Sequence, residues 1–383
     1  MNITEQTMLS WCRTLLGVTP APHRTLGDYL AAIPRLEALS NVPRGSAVLV
    51  RGDVDAKPGA KIGEGDERLR SMVETLKFGI HQGWKQIVFG HIGRKPEGSL
   101  NKVATRLGEL LGKPVPLVGD WWDETSTAIS MQAVDRIRNS QPGDVLVLEN
   151  TRRYDIERVL WDATADDLPR LAPKLAKFAN EVASKIATVY IHEALSAGSL
   201  DSSSTIIPSA MDRVALGTYE AQEFDGPMQR CLSASLVVFS GLKIDKLDDL
   251  QAMISRGTIR WVFTAGSLAM ALKKAAAELD GKTFSLGVAE NSAHSSKPYF
   301  IPQVRIQQAR QMIEEGRQKG IQFVLPVDFI LQDGRAAETI GPGDQQFDIG
   351  PETSELFAQK VGEFIAAAKS ISEKPVAFYN GVF

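Results

Sequence analysis

Apolar residues in this chain fall into two spacings. Short, nearly continuous runs occupy 47–50, 86–90, 144–148 and 187–191, then 236–239, 261–264, 322–327 and 375–378. They are rich in β-branched residues and do not alternate with polar ones, which predicts strands buried on both faces. Between them the apolar positions repeat every three to four residues. Over 66–82 this spacing sets Leu69, Met72, Val73, Leu76 and Ile80 on one face, and similar patterns cover 100–111, 169–184, 268–279, 305–318 and 354–368. Strand and helix therefore alternate, the signature of an α/β protein with mostly parallel sheets covered by helices.

The alternation is interrupted once, between Asp201 and Arg230. That stretch contains a Ser/Thr run, Pro208, Gly217 and Gly226-Pro227, the residues that punctuate chains. A domain boundary is expected there, giving α/β domains over 46–212 and 213–383. The first ~45 residues, with a helical pattern over 26–39, form an N-terminal helical extension. Two domains suit a chain of 383 residues, since single cores stop growing beyond ~250–300 residues.

Composition narrows the function classes. The chain is 43% apolar and 23% charged with net charge −3, so no overall positive field draws it to nucleic acid or an anionic membrane. Cys12 and Cys231 are its only cysteines, too few for a disulfide framework or a cysteine metal site. No apolar run approaches the ~20 residues of a membrane span, and the N-terminus lacks the pattern of a signal peptide. A cytoplasmic location is expected.

The chemistry concentrates where strands end, which in open α/β sheets is where ligands bind. The first run continues into Arg51-Gly52-Asp53-Val54-Asp55, the second into His91-Ile92-Gly93-Arg94 and the third into Glu149-Asn150-Thr151-Arg152-Arg153. Arg68, early in the first helix, can join them. A single arginine after a strand is ordinarily a solvated residue, and a lone histidine is ordinarily structural. Three neighbouring strands that end this way favour an anion site, because guanidinium forks match carboxylate and phosphate oxygens. In the second half, 236–239 leads into Ser240-Gly241-Leu242-Lys243-Ile244-Asp245-Lys246 and 261–264 into Ala265-Gly266-Ser267. Small-residue turns at helix N-termini favour phosphate. The chain has no GxxxxGK[ST] loop, HExxH pair or GxSxG elbow, and no set of residues reads as ligands of a resident metal.

Taken in order, these segments resemble the phosphoglycerate kinase family. RGDVD is similar to that family's RVDFN, GHIGRKPEG to SHLGRPKG, LENTRRY to LEN[TL]RF and SGLKIDK to GGAKVSDK. LPVD at 325–328, DIGPET at 348–353 and the final YNGVF also have counterparts. The resemblance implies two Rossmann-like domains around a central cleft. The first would bind 3-phosphoglycerate and the second Mg-ATP, with phosphate passing between carboxylate and nucleotide to give an acyl phosphate. On matching positions, Asp53, Asp55, Arg68, His91, Arg94 and Arg152 would bind the acid, and Arg68 would also face the phosphoryl group in transfer. Gly241, Lys243, Lys246, Gly266 and Asn380 would serve the nucleotide, with Lys243 acting in catalysis. The family implies a small anionic carboxylate partner and a monomer, with oligomers left open.

Three departures bear on that expectation. Asp55 stands where the family has asparagine, adding negative charge to the rim. HEALSAGSL, 192–200, aligns with NDAFGTAHR, so Leu200 replaces an arginine that holds substrate phosphate and Ser199 a histidine. A GGGD[ST] turn, which serves the ATP phosphates and magnesium in the family, has no counterpart up to Phe383. Weak binding of 3-phosphoglycerate and poor use of ATP are therefore expected. The alternative reading is a catalytically weak or inactive homologue that binds a ligand or a partner protein.

Overall fold

The structure, a computed structural model, describes residues 2–20 and 25–381; the Val382-Phe383 end of the YNGVF motif lies outside them. The chain divides into two compact units, 1–226 and 227–383. Among the described residues no helix is long and apolar enough to cross a membrane.

The first unit is built on six parallel strands: β1 (Ala47–Gly52), β2 (Lys85–Phe89), β3 (Leu117–Val118), β4 (Val145–Leu148), β5 (Val189–Glu193) and β6 (Arg213–Leu216), in the spatial order β3-β4-β2-β1-β5-β6. Successive side chains of a strand point to opposite faces, so a sheet covered on both sides needs apolar residues at every position. In β1, Val48 and Val50 join one core with Leu76 of helix Val73–Gln82 and Leu107 of helix Asn101–Leu111. Leu49 joins the other with Leu175 and Phe178 of helix Leu168–Lys185. The continuous runs of the sequence have this double burial as their cause.

The second unit repeats the scheme with four parallel strands: β7 (Leu236–Phe239), β8 (Trp261–Thr264), β9 (Gln322–Val324) and β10 (Ala377–Asn380), ordered β9-β8-β7-β10. Val237 and Val262 pack with Leu250 and Leu268, while Leu236 and Phe263 pack with Phe357 and Phe364 of helix Pro351–Ser370. A small antiparallel sheet of Phe329–Leu331, Ala336–Ala337 and Gln346–Ile349 is added. The sequence pattern gave no sign of it, because its strands are short and half-exposed.

Three expectations need correction. The division falls at Gly226/Pro227, not after Asp212. The segment from Arg213 adds a sixth strand to the first sheet, pairing His192 with Leu216, and the Leu216 N–H donates to the Pro34 carbonyl. The helix expected over 66–82 is broken into Glu67–Ser71 and Val73–Gln82, with the Ser71 hydroxyl donating to the Arg68 carbonyl at 2.7 Å. Serine side chains compete with the helix in this way. The N-terminal stretch is not a separate body. Its helix Glu5–Leu15 buries Met8 and Cys12 in the core of the first unit, and both backbone groups of Ile3 bond to the Asn180 amide.

Phe178, almost fully buried, stands edge-on to Trp122 with ring centroids 4.9 Å apart. Truncating a buried phenylalanine leaves a cavity. Phe178→Ala is expected to lower stability by ~3–5 kcal/mol, read as a shifted denaturant midpoint in tryptophan fluorescence. An unchanged midpoint would contradict this account of the core.

Candidate functional site

β1 and β5 are neighbours, yet the chain leaves them in opposite directions, from β1 toward β2 and from β5 toward β6. Loops that diverge open a crevice beyond the carboxyl ends of the strands. The loops after β1, β2, β4 and β5 all contribute residues to it.

The outer rim is a chain of contacts. Arg68, 45% exposed, reaches Asp53 at 3.4 Å, Asp55 at 3.7 Å and the Ser196 hydroxyl at 3.3 Å. Ser196 in turn donates to Asp53 at 2.8 Å. Asp55 accepts from the Gly93 N–H at 2.9 Å, and the Gly93 carbonyl accepts from Arg152 at 2.7 Å. Arg94 follows Gly93 and is exposed. Asp53, Asp55 and Arg68 therefore meet on one rim, which Gly93 joins to Arg152, while His91 belongs to the network beneath it. Asp53 neither caps a turn nor contacts Arg51 in these bonds; it holds Arg68.

Beneath the rim lies a buried ionic network. Asp201, with no exposed side-chain surface, has Arg152 Nη2 at 3.2 Å, Arg51 Nη2 at 3.7 Å and His91 Nδ1 at 3.0 Å from Oδ2, while Trp161 Nε1 donates to Oδ1 at 2.9 Å. The Trp161 ring also covers Arg152, whose guanidinium carbon is 4.7 Å from the ring centroid. Arg51 donates to the Ser203 hydroxyl at 2.9 Å, and that hydroxyl donates to Glu157 at 2.5 Å. His91 Nδ1 is equally 3.0 Å from Arg51 Nη2. It can donate to Asp201 or accept from Arg51, one at a time.

Burial alone would raise the pKa of Asp201. The His91 hydrogen bond and the charges of Arg152 and Arg51 outweigh it and hold the group down at about 2. Glu157 is pushed up to about 7, first by burial and then by the charge of Asp201. Atoms of His91, Glu157 and Asp201 lie within 4.8 Å of one another, a spacing that metal ligands share. Two guanidiniums already supply the positive charge there, so the cluster is an internal salt network and does not fit a cation.

In the second unit, Ser240 and Gly241 follow β7, and Gly266 opens helix Gly266–Leu279 after β8. Gly266 has φ +63°, and a Cβ there would stand 2.6 Å from the Gly241 carbonyl oxygen. The two turns touch backbone to backbone, which only glycine allows. Beside them is a pocket of about 190 Å³ whose lining includes Ser267, Met270, Tyr299 and the exposed Phe347. Lys243 is exposed. Lys246 is engaged, its Nζ donating to Asn380 Oδ1 at 2.6 Å and to the Ser240 carbonyl at 3.4 Å.

Sequence reasoning gave no site role to Glu157, Trp161, Ser196, Asp201 and Ser203, and named Arg51 only as part of a strand-end run. In sequence Asp201 only marked the start of the interrupted stretch. It precedes the short helix Ser202–Thr205, but its side chain makes no capping bond there.

Two α/β units, each with glycine, arginine or lysine loops at the carboxyl ends of a parallel sheet, define a two-unit α/β protein of the kind that binds ligands beyond its strand ends. Comparison with known proteins agrees. A family model for phosphoglycerate kinase matches residues 40–372, and the chain belongs to that family. A phosphoglycerate kinase of Candida glabrata is 28% identical over 346 residues, covering 85% of this chain and 76% of the relative. One from Clostridium beijerinckii is 25% identical over 330 residues, covering 83% and 75%. Among solved structures, the phosphoglycerate kinase of Pyrococcus horikoshii aligns with a TM-score of 0.63 at 20% identity, covering 86% of this chain and 78% of that one. The Coxiella burnetii structure gives 0.58 at 20%, covering 85% and 77%. These structural matches establish the fold.

A carboxylate depressed below its ordinary 3.8 stabilises the native state above that pH, and the contribution is lost as pH falls through the folded-state value. Asp201 should therefore contribute ~2 kcal/mol at neutral pH, at ~1.4 kcal/mol per unit, lost between about pH 4 and pH 2. Denaturation midpoints of the wild type and Asp201→Asn across this range are expected to converge at the acid end. A gap that stays constant with pH would contradict the assignment.

Proposed function

We propose that this chain is a phosphotransferase that moves phosphate between Mg-ATP and the carboxylate of a small acid, yielding an acyl phosphate. The observation that carries the reading is the turn after β7. There Gly241, against Gly266 of the turn after β8, leaves bare backbone beside a pocket, and an exposed Lys243 stands in the turn of Gly241. Phosphoryl transfer demands positioning and charge neutralisation more than covalent chemistry. Backbone N–H groups at a helix N-terminus and a lysine point charge supply both. In the first unit, Arg68 is held by Asp53, Asp55 and Ser196 with nearly half its surface open. A guanidinium restrained in this way is suited to oxygens of a reacting carboxylate or phosphoryl group. Magnesium would enter with the nucleotide and lower the negative charge of the phosphates.

The related phosphoglycerate kinases give the reading its class; the acid is the open element. A second reading, a homologue that binds nucleotide or acid without turnover, is favoured by Lys246. This lysine is bound to Asn380 and Ser240 and so is withdrawn from a ligand.

The two readings separate in one experiment, in which Mg-ATP binding is measured by calorimetry and ADP formation is followed with candidate acids. Turnover supports the kinase, and binding without ADP formation supports the second reading. If the kinase reading holds, Lys243→Ala is expected to lower turnover by ~10²–10³, the usual effect of removing one preorganised donor. Unaltered turnover would remove Lys243 from the mechanism. Gly266→Ala forces a Cβ against the Gly241 carbonyl at positive φ. It should weaken Mg-ATP binding at least tenfold while leaving acid binding to the first unit unchanged. Equal ATP affinity in this variant would place the nucleotide elsewhere.

A further inference from the structure

The crevice of the first unit contains its own anion. We propose that Asp201 permanently occupies the inner, most basic part of the acid site, and that the chain therefore selects a small monocarboxylate without a phosphate group. The inference rests on the reading of this rim as the acid site. It deepens that reading by naming the substrate class and the residue that sets it.

The argument is one of charge and space. Along the rim and the network beneath it the cations are Arg51, Arg68, Arg94 and Arg152. The carboxylates in the same contacts are Asp53, Asp55 and Asp201, with Glu157 linked to Arg51 through Ser203. Arg51, Arg68 and Arg152 each meet a carboxylate, so little of their positive charge is left for a dianionic or trianionic ligand. A phosphorylated acid would bring two to three negative charges into this setting, where like charges repel strongly.

The deep positions are also filled sterically. Arg152 spends one Nη on the Gly93 carbonyl and the other on Asp201, and its face is covered by Trp161. Arg51 is bonded to Ser203, the Gly52 carbonyl and the His91–Asp201 pair. Leu200, beside Asp201, is turned into the apolar core. A phosphate reaching Arg152 or His91 would have to displace a fully buried carboxylate with four partners and would leave it unpaired, the costly outcome for buried charge. The outer position differs. Arg68 is 45% exposed on the rim, and one reachable guanidinium suits one carboxylate.

The test is calorimetric binding to the intact 383-residue chain, with glycerate and 3-phosphoglycerate as probes that differ only by the phosphate. The wild type is expected to bind glycerate at least tenfold more tightly than 3-phosphoglycerate. Asp201→Ala, with its two arginines released, is expected to gain at least tenfold affinity for 3-phosphoglycerate and for inorganic phosphate. Asp201→Asn, which removes the charge but keeps the size, serves if the alanine variant does not fold and should gain phosphate affinity in the same direction. Wild-type chain that binds 3-phosphoglycerate as tightly as glycerate overturns the proposal. So does failure to bind either acid at millimolar concentration, or a folded variant with no gain in phosphate affinity. ADP formation is scored separately. A preference for glycerate without phosphoryl transfer would sink the kinase reading and leave this inference standing.

Discussion

Asp201 and the cations around it set the character of the first unit. Arg51 and Arg152 are buried at the carboxyl ends of β1 and β4, which flank β2, where uncompensated guanidiniums would be heavily penalised by desolvation. The carboxylate compensates both and takes a bond from Trp161 besides. Removing one member of such a set strands the others, so its geometry is over-determined and rigid. The loop after β5 is thereby clamped onto the loops after β2 and β4. The neutrality of the crevice and the order of its walls have the same cause.

The outer rim depends on that clamp. Gly93 receives Arg152 on its carbonyl and offers its N–H to Asp55, so the position of the buried guanidinium is passed outward through one peptide unit. Asp55 and Asp53 then fix Arg68, which remains reachable by solvent. The rim is preorganised by side chains that a ligand never has to touch. This is the arrangement expected when one accessible cation must be aimed while its neighbours are spent on structure.

The second unit solves a different problem. Its Gly241 and Gly266 turns meet backbone to backbone, and Lys246 ties the same loop to Asn380 at the end of β10. Three strand ends are held together, and Lys243 of the same turn is exposed. A lysine used as a tie and a lysine left exposed, three residues apart, show that matching motif positions need not share a role.

Much of this was legible in the sequence. Doubly buried parallel strands must be apolar at every position, so β1, β2, β4, β7 and β8 announce themselves wherever they fold. The collinear motifs after them identified the family and pointed to the loops after β1, β2 and β4, because strand order in such a sheet is constrained. The short edge strands were invisible, since β3 and β6 take their conformation from the neighbour that hydrogen-bonds them. The unit boundary was misplaced for the same reason. The sequence could state that Leu200 and Asp55 depart from the family, but not that Asp201 pairs with Arg51, His91 and Arg152. Hydrogen-bond partners 40 to 152 positions apart along the chain are joined by the folding of loops, which carries no local period to read. Only the tertiary structure decides which charges neutralise one another, because that depends on distance and burial.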